Sequence, residues 1–376
     1  MAKKLHLFIK GEVEKTLLIG IHAPYNRVDN CTPYYDEFLS LCKTNAIPTD
    51  NTLFIKLRTI DSAYFISKGK LAEITEVCKD QEIERVVISE QLTAQQERNL
   101  SSLLHCEIID RTRLILDIFE KSAHSAEGKA QVAMALLHHK KSRLAGKGIH
   151  MGQQQGGAGF FSGPGETAKE RETRHINEAL LKLQKQLHTI EKSRDTQRKQ
   201  RLINGTYQIC LIGYTNSGKS TLLNALTHSD VIAKDALFAT LDTTTRELFL
   251  EGKKAGVISD TVGFIQHLPH HLIEAFKSTL SELQYAHLLL HVVDIANPSW
   301  EMHIRVTDET LQELAVDKKV LYVFNKADHC EDYAQLEAKI EQYQPHILVS
   351  ALSKESIETL KNFLRSSISS QSTQQA

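Results

Sequence analysis

The stretch from Ile209 to Leu226 constrains the fold of this chain more than any other. The apolar run Ile209-Cys210-Leu211-Ile212 feeds Gly213-Tyr214-Thr215-Asn216-Ser217-Gly218-Lys219-Ser220, and then the helical pattern Thr221-Leu222-Leu223-Asn224-Ala225-Leu226. This is G-x-x-x-x-G-K-S between a strand and a helix, the setting a phosphate-binding loop demands. Glycines let the backbone curl until successive N–H groups point at phosphate oxygens, at a helix N-terminus whose dipole favours anions. In such a loop Lys219 reaches the β- and γ-phosphates and the Ser220 hydroxyl ligates Mg2+, while Gly213 to Gly218 and Thr221 complete the cradle. A plain glycine turn would leave the lysine and serine at those positions to chance. The expected fold class is α/β: a P-loop domain over residues 204–368, its mainly parallel sheet flanked by helices.

A second buried strand, Val320-Leu321-Tyr322-Val323-Phe324, ends in Asn325-Lys326-Ala327-Asp328. A carboxylate there accepts from guanine N1–H and the 2-amino group, whereas adenine leaves a buried acceptor unpaired. Asn325 is expected to support the loop and the Lys326 stem to cover the ring. Downstream, Ile347-Leu348-Val349 leads to Ser350-Ala351-Leu352, whose N–H groups can meet the guanine oxygen. Each match alone is weak. In this order, behind a phosphate loop, they point to GTP and GDP rather than ATP.

Asp260-Thr261-Val262-Gly263 forms a D-x-x-G motif after the strand-like Gly256-Val257-Ile258-Ser259. Asp260 is expected to hold magnesium through water and the Gly263 amide to bond the γ-phosphate. Leu237-Phe238-Ala239-Thr240-Leu241-Asp242-Thr243-Thr244 should supply a threonine to the metal shell, either Thr240 or Thr244, hydroxyls taken to lie one helical turn apart. Residues Phe238 to Asp242 join the candidate nucleotide contacts, with Ser220 and Thr240 as candidate metal ligands. Lys219, Asp260, Gly263 and Asn216 are the candidate catalytic residues. Phe264 stands where Ras-like enzymes carry the glutamine that orients the attacking water. Slow intrinsic hydrolysis follows, completed by a partner or by a monovalent cation. Asn216 occupies the position at which potassium-using GTPases coordinate K+. His267, His270 and His271 invite zinc, but they flank Pro269 beside an assigned magnesium, so the metal reading is the weaker one.

With 376 residues the chain exceeds one ordinary core and implies two or three domains. Residues 1–120 read as a small α/β domain, 121–203 as a helical hairpin with a glycine-rich tip at 152–165, and 369–376 as a polar tail. The second hairpin helix carries Ile176, Leu180, Leu183, Leu187 and Ile190 at steps of four and three, a seam that must pack, with Val132, Leu136 and Leu144 of the preceding helix as candidates. From Lys169 to Leu202 ten basic residues face five acidic ones, and Lys140, Lys141, Arg143 and Lys147 add to them, a local patch suited to RNA phosphates. The net charge of −1 gives no bulk case for DNA. No apolar run approaches the roughly 18 residues of a membrane span, and the N-terminus lacks a signal-peptide core. Six scattered cysteines read as reduced thiols, consistent with a cytoplasmic protein.

These residues resemble one family, the HflX GTPases of the Obg–HflX group. The resemblance lies in Gly213–Ser220, Leu237–Asp242, Asp260–Ile265 and Leu268-Pro269-His270, and upstream in Gly69-Lys70, Ile109–Thr112, Leu114–Phe119, Glu127–Lys129 and Gly163-Pro164-Gly165-Glu166-Thr167. It implies binding to the large ribosomal subunit and its RNA, splitting of stalled ribosomes under stress, and GTP hydrolysis on ribosome stimulation; the chain itself is expected to be a monomer. This chain departs from the family pattern at Thr243, Ser162, Ala168-Lys169, Thr173, Ala133 and Leu136, mostly in the hairpin, and the family's extra C-terminal domain is expected to be absent. A paralogue with a shifted RNA target, or a nucleotide-regulated tether with negligible hydrolysis, are the alternatives.

Overall fold

Runs of consecutive buried residues decide where the sheets lie, because a strand covered on both faces cannot alternate apolar with polar. The computed structural model describes residues 15–26, 31–144, 168–227, 236–266, 281–330 and 333–372. The glycine-rich tip, the Gly163–Thr167 segment, Lys147, Leu268 and the three histidines near Pro269 lie outside these. The chain divides into two compact units: residues 1–115 with 142–156, and residues 116–141 with 157–376.

In the first unit β1 (Thr16–His22), α1 (Thr32–Thr44), β2 (Thr52–Lys56), α2 (Lys68–Asp80), β3 (Arg85–Ile88), α3 (Ala94–Leu104) and β4 (Glu107–Ile109) build a four-stranded parallel sheet in the order β2-β1-β3-β4. All seven residues of β1 are buried. A capping box between Thr93 and Gln96 starts α3. Glu90, just past β3, is buried and accepts from the hydroxyls of Tyr25 and Tyr34. Arg143 closes this unit with bonds to Asp110 (2.7 Å) and Glu97 (2.8 Å).

Next in chain order come α4 (Arg111–Ser122), α5 (Ala126–Leu144) and α6 (Ala168–Ile203). The α6 seam is real: Ile176, Leu180 and Leu187 are buried and Leu183 and Ile190 half-buried. Three of the ten basic residues are engaged by carboxylates, Arg198 buried and Arg194 and Arg201 half-buried. Arg194 pairs with Glu127 at 2.8 Å, and Arg198 with Glu282 at 2.9 Å, with Arg201 at 3.9 Å from the same carboxylate. Arg171, Arg174, Lys182, Lys185, Lys192 and Lys199 remain exposed.

The second sheet follows: β5 (Tyr207–Ile212), α7 (Lys219–Thr227), β6 (Thr244–Leu250), β7 (Lys253–Asp260), α8 (Glu282–Tyr285), β8 (Leu288–Asp294), α9 (Trp300–Glu313), β9 (Val320–Asn325), α10 (Tyr333–Ile340), β10 (His346–Leu348) and α11 (Lys354–Ser372). Its order is β10-β9-β8-β5-β7-β6, parallel except for β6, which runs antiparallel to β7. Consecutive connections leave β5 in opposite directions, to β7 and to β8, so a crevice opens at its carboxyl end, where such sheets bind ligands.

Candidate nucleotide site

At that crevice β5 ends at Ile212 and the chain turns through Gly213 to Gly218 into α7. Gly218 adopts φ +90°, and a Cβ there would stand 2.3 Å from Asn325 Nδ2, so no larger residue fits this turn. Asn216 also lies in the left-handed region at φ 60°. Lys219 is buried, its ammonium donating to the carbonyls of Gly213 (3.1 Å) and Tyr214 (2.7 Å). Burial pushes its pKa down to about 8, against the pull of the Asp260 carboxylate.

Three oxygens converge beside it. Ser220 Oγ donates to Asp260 Oδ2 at 2.6 Å and lies 2.7 Å from Thr240 Oγ1. Asp260 is fully buried, its other oxygen has no hydrogen-bond partner, and burial raises its pKa. A hard, oxygen-only set with an orphaned carboxylate oxygen suits Mg2+. Thr244 is not the alternative a helical segment would make it. It opens β6 and pairs with Asp260 across the ladder, so the loop between is not helical, and Thr240 alone meets Ser220. Thr215, Asn216, Thr221, Phe238, Ala239, Thr261 and Gly263 line the same cavity.

An adjoining cavity is lined by Asn325, Lys326, Asp328, Ser350, Ala351 and Leu352. Asn325 is the strut between the two: its amide donates to Ser217 O (2.9 Å) and its carbonyl accepts from Ala351 N–H (3.0 Å). Lys326 donates to Asn216 O at 3.0 Å and pairs with Asp294 at 2.7 Å, which orients its stem. The Ser350 hydroxyl lowers the pKa of Asp328, keeping a carboxylate acceptor ready. Gly213, Tyr214, Ser217 and Val262 shape the loops rather than line either cavity. So do Ala327, which bonds to Val349 O, and the buried Leu241. Asp242 also lines neither, and its carboxylate turns to the start of α5.

Phe264 is buried among Cys210, Ile212, Leu283 and Leu289. Its N–H donates to Gly213 O (3.1 Å) and its carbonyl accepts from Thr215 N–H (2.8 Å). Tyr214 extends the link: its hydroxyl accepts from Gln266 N–H, and its ring stacks on His303 at 3.8 Å. Asp294 and His303 escaped sequence reasoning. The carboxylate at the end of β8 could have been found by the strand-end logic that found Asp260, but His303 lies in the first turn of α9 and carries no local signal. Among the described residues no cluster of His, Cys, Asp and Glu suits another metal, all six cysteines are free, and no helix is long and apolar enough to cross a membrane.

With this geometry in view, similarity to known proteins is decisive. The chain is 39% identical to a GTPase HflX of Magnetococcus marinus, covering 94% of this chain and 82% of that one. The chain belongs to the HflX family. A GTPase HflX of Caldanaerobacter subterraneus is 43% identical over 79% of this chain and 69% of its own, and that of Escherichia coli K12 38% over 89% and 78%. Family descriptions match in order along the chain: GTP-binding GTPase N-terminal at 33–120, GTP-binding GTPase Middle Region at 122–201, and 50S ribosome-binding GTPase at 208–326. Among solved structures, the complex of SsGBP with GDP shares the fold, with TM-score 0.52 and 24% identity over 95% of this chain and 99% of that one. The HflX chain is thus a GTP-hydrolysing enzyme that binds GTP and GDP on a P-loop fold.

Proposed function

We propose that this HflX chain is a magnesium-dependent GTPase that acts on the large ribosomal subunit and separates stalled ribosomes under stress. The observation that carries the nucleotide half is the convergence of Ser220, Thr240 and Asp260 oxygens beside the buried Lys219 ammonium. Bound magnesium supplies charge stabilisation for the transferring γ-phosphoryl group. Lys219 holds the β- and γ-phosphates, Gly263 donates its amide to the γ-phosphate, and Asp328 with the Ser350–Leu352 loop selects guanine. Water attacks the γ-phosphorus, whose bond to the β,γ-bridging oxygen breaks so that GDP leaves with that oxygen. The water oxygen stays on inorganic phosphate while its proton passes to phosphate or solvent. Phe264, turned into the core, orients no water, so intrinsic turnover is slow. Asn216, in the left-handed turn of the loop, is the residue suited to a K+ ion that completes the charge.

The ribosomal half is supported by the match at 208–326 and by the exposed cations of α6, with Lys140 of α5 bridged to Glu172 beside them. GTP turnover measured alone, with large subunits, with intact ribosomes and with bulk RNA tests it, with Lys219→Ala as control. Stimulation by large subunits is expected, and stimulation by bulk RNA alone overturns the ribosomal reading. Equal rates in sodium and potassium salts, with and without ribosomes, overturn the potassium site.

A further inference from the structure

The N-terminus of α5 is capped twice, once from within and once from the switch loop of the G domain. Ser125 Oγ accepts from Gly128 N–H at 2.9 Å, an ordinary N-cap bond to the third helical residue. The same hydroxyl donates to Asp242 Oδ1, and Asp242 Oδ2 accepts from the N–H groups of His124 (2.9 Å) and Ser125 (2.7 Å). One carboxylate so satisfies the two amides ahead of the helix, with its charge at the positive end of the helix dipole.

Gly128 registers how close this approach is. Its φ is not in the left-handed region, so the backbone does not require glycine, and glycine is a poor helix former. A Cβ at this position would stand 2.2 Å from Asp242 Oδ1, so the requirement comes from the carboxylate. Flanking contacts hold the same loop: Arg194 of α6 donates to Thr243 Oγ1 at 2.8 Å, and the rings of Phe238 and Phe119 meet edge-on at 4.7 Å. Two residues before Asp242, Thr240 reaches Ser220.

We propose that Asp242 is a positioning residue for GTP hydrolysis: it pins the switch loop to the first turn of α5, so that Thr240 stands at Ser220 only while that helix start is formed. The inference rests on the reading of Thr240 as the magnesium threonine. Coupling of this kind is reciprocal, so the nucleotide state sets the order of the α5 start, and whatever grips α5 sets the competence of the switch.

Full-length Asp242→Ala, Asp242→Asn, Gly128→Ala and Thr240→Ala are compared with the parent. Gly128→Ala changes no residue that lines either cavity, and its Cβ crowds the Asp242 carboxylate first and Ser125 Oγ next, at 3.3 Å, so it stands even if Asp242→Ala folds poorly. Turnover is measured against Mg2+ and GTP concentration, GDP affinity by titration with a fluorescent GDP, and amide exchange at residues 124–128 with GDP and with a non-hydrolysable GTP analogue. Asp242→Ala and Gly128→Ala are expected to lower kcat at least tenfold, raise the Mg2+ needed for half-maximal rate at least fivefold, and leave GDP affinity within twofold. Asp242→Asn recovers part of the loss, since an amide oxygen in the place of Oδ2 still accepts from the His124 and Ser125 N–H groups while its NH2 cannot accept from Ser125 Oγ. The parent protects the 124–128 amides more with the GTP analogue than with GDP, and the difference vanishes in both variants. If Thr240→Ala leaves the Mg2+ dependence unmoved, the Thr240 reading fails. If Thr240→Ala moves it while Asp242→Ala and Gly128→Ala match the parent in rate and exchange, the inference alone fails. Losses of kcat mirrored by equal losses of GDP affinity also overturn it, because they report general damage to the site.

Discussion

Replacing Asn325 by alanine tests whether one buried amide holds the phosphate and base loops in register. The side chain is 1% exposed and makes one hydrogen bond to each loop. Alanine leaves the buried Ser217 O and the part-buried Ala351 N–H without that partner. At about 1–3 kcal/mol for each stranded group, the cost is about 2–6 kcal/mol. Against a typical domain stability of about 5–15 kcal/mol, that is a large fraction. Asparagine-to-aspartate separates the two halves, because a carboxylate still accepts from Ala351 N–H but faces Ser217 O with no proton to give. Urea unfolding of the G-domain transition, followed with and without saturating GDP, gives the stability, and a GDP titration gives the affinity. Both variants should lose at least 2 kcal/mol and weaken GDP binding tenfold or more. Nor should Asn325→Ala rescue Gly218→Ala, for although it removes the clashing amide, the φ of +90° remains. A loss below 1 kcal/mol with GDP affinity unchanged would refute the strut.

Phe264→Gln should not create a faster enzyme: position 264 faces the core, so the change costs about 3 kcal/mol and leaves intrinsic turnover within twofold, whereas a tenfold rise would show that the side chain reaches the water. Arg198→Ala strands the buried Glu282 carboxylate and should cost about 3–5 kcal/mol, while Arg198→Met with Glu282→Leu should cost less than the single change; a double variant as unstable as the sum of the singles contradicts the pairing. His303 has its pKa pushed down to about 4 by burial, so its contribution is complete above pH 6.5 and lost as pH falls toward 4, by about 2 kcal/mol at pH 4.5. His303→Phe keeps a ring on Tyr214 and should flatten unfolding free energy against pH over that window; parallel curves for parent and variant refute the assignment.

What could be read from the chain alone was chemistry written in short spacings. Gly218, Lys219 and Ser220 are neighbours, and Asn325, Lys326 and Asp328 share one strand end, so local pattern carries them. The choice between Thr240 and Thr244 is open in the sequence because it turns on the path of a loop: only the folded chain brings Thr240 Oγ1 to 2.7 Å from Ser220 Oγ. The roles of Asp294 and His303 needed β8 and α9 to be set against β9 and the P-loop, relations no spacing encodes. Asp242 looked like a nucleotide contact because it lies in the switch motif, yet its carboxylate is taken by amides 117 and 118 residues away.

The α6 helix shows why a charge census misleads. Its apolar seam, Ile176 to Ile190, is followed along nearly the same stripe by Arg194, Arg198 and Arg201, at steps of four, four and three. One face of a single helix is therefore hydrophobic at one end and cationic at the other, and both ends are covered: the first as a seam, the second by Glu127 and Glu282. Guanidinium groups suit that second stretch because they remain charged when buried and their forked donors fix the partner's geometry. Such pairs contribute less to stability than apolar packing of equal volume would, so their value lies in setting which face of α6 meets α8 and the switch loop. The cations that point outward, Lys182, Lys185, Lys192 and Lys199, sit on the remaining faces. The same helix therefore carries outward charge and holds the G domain without the two demands competing for one residue.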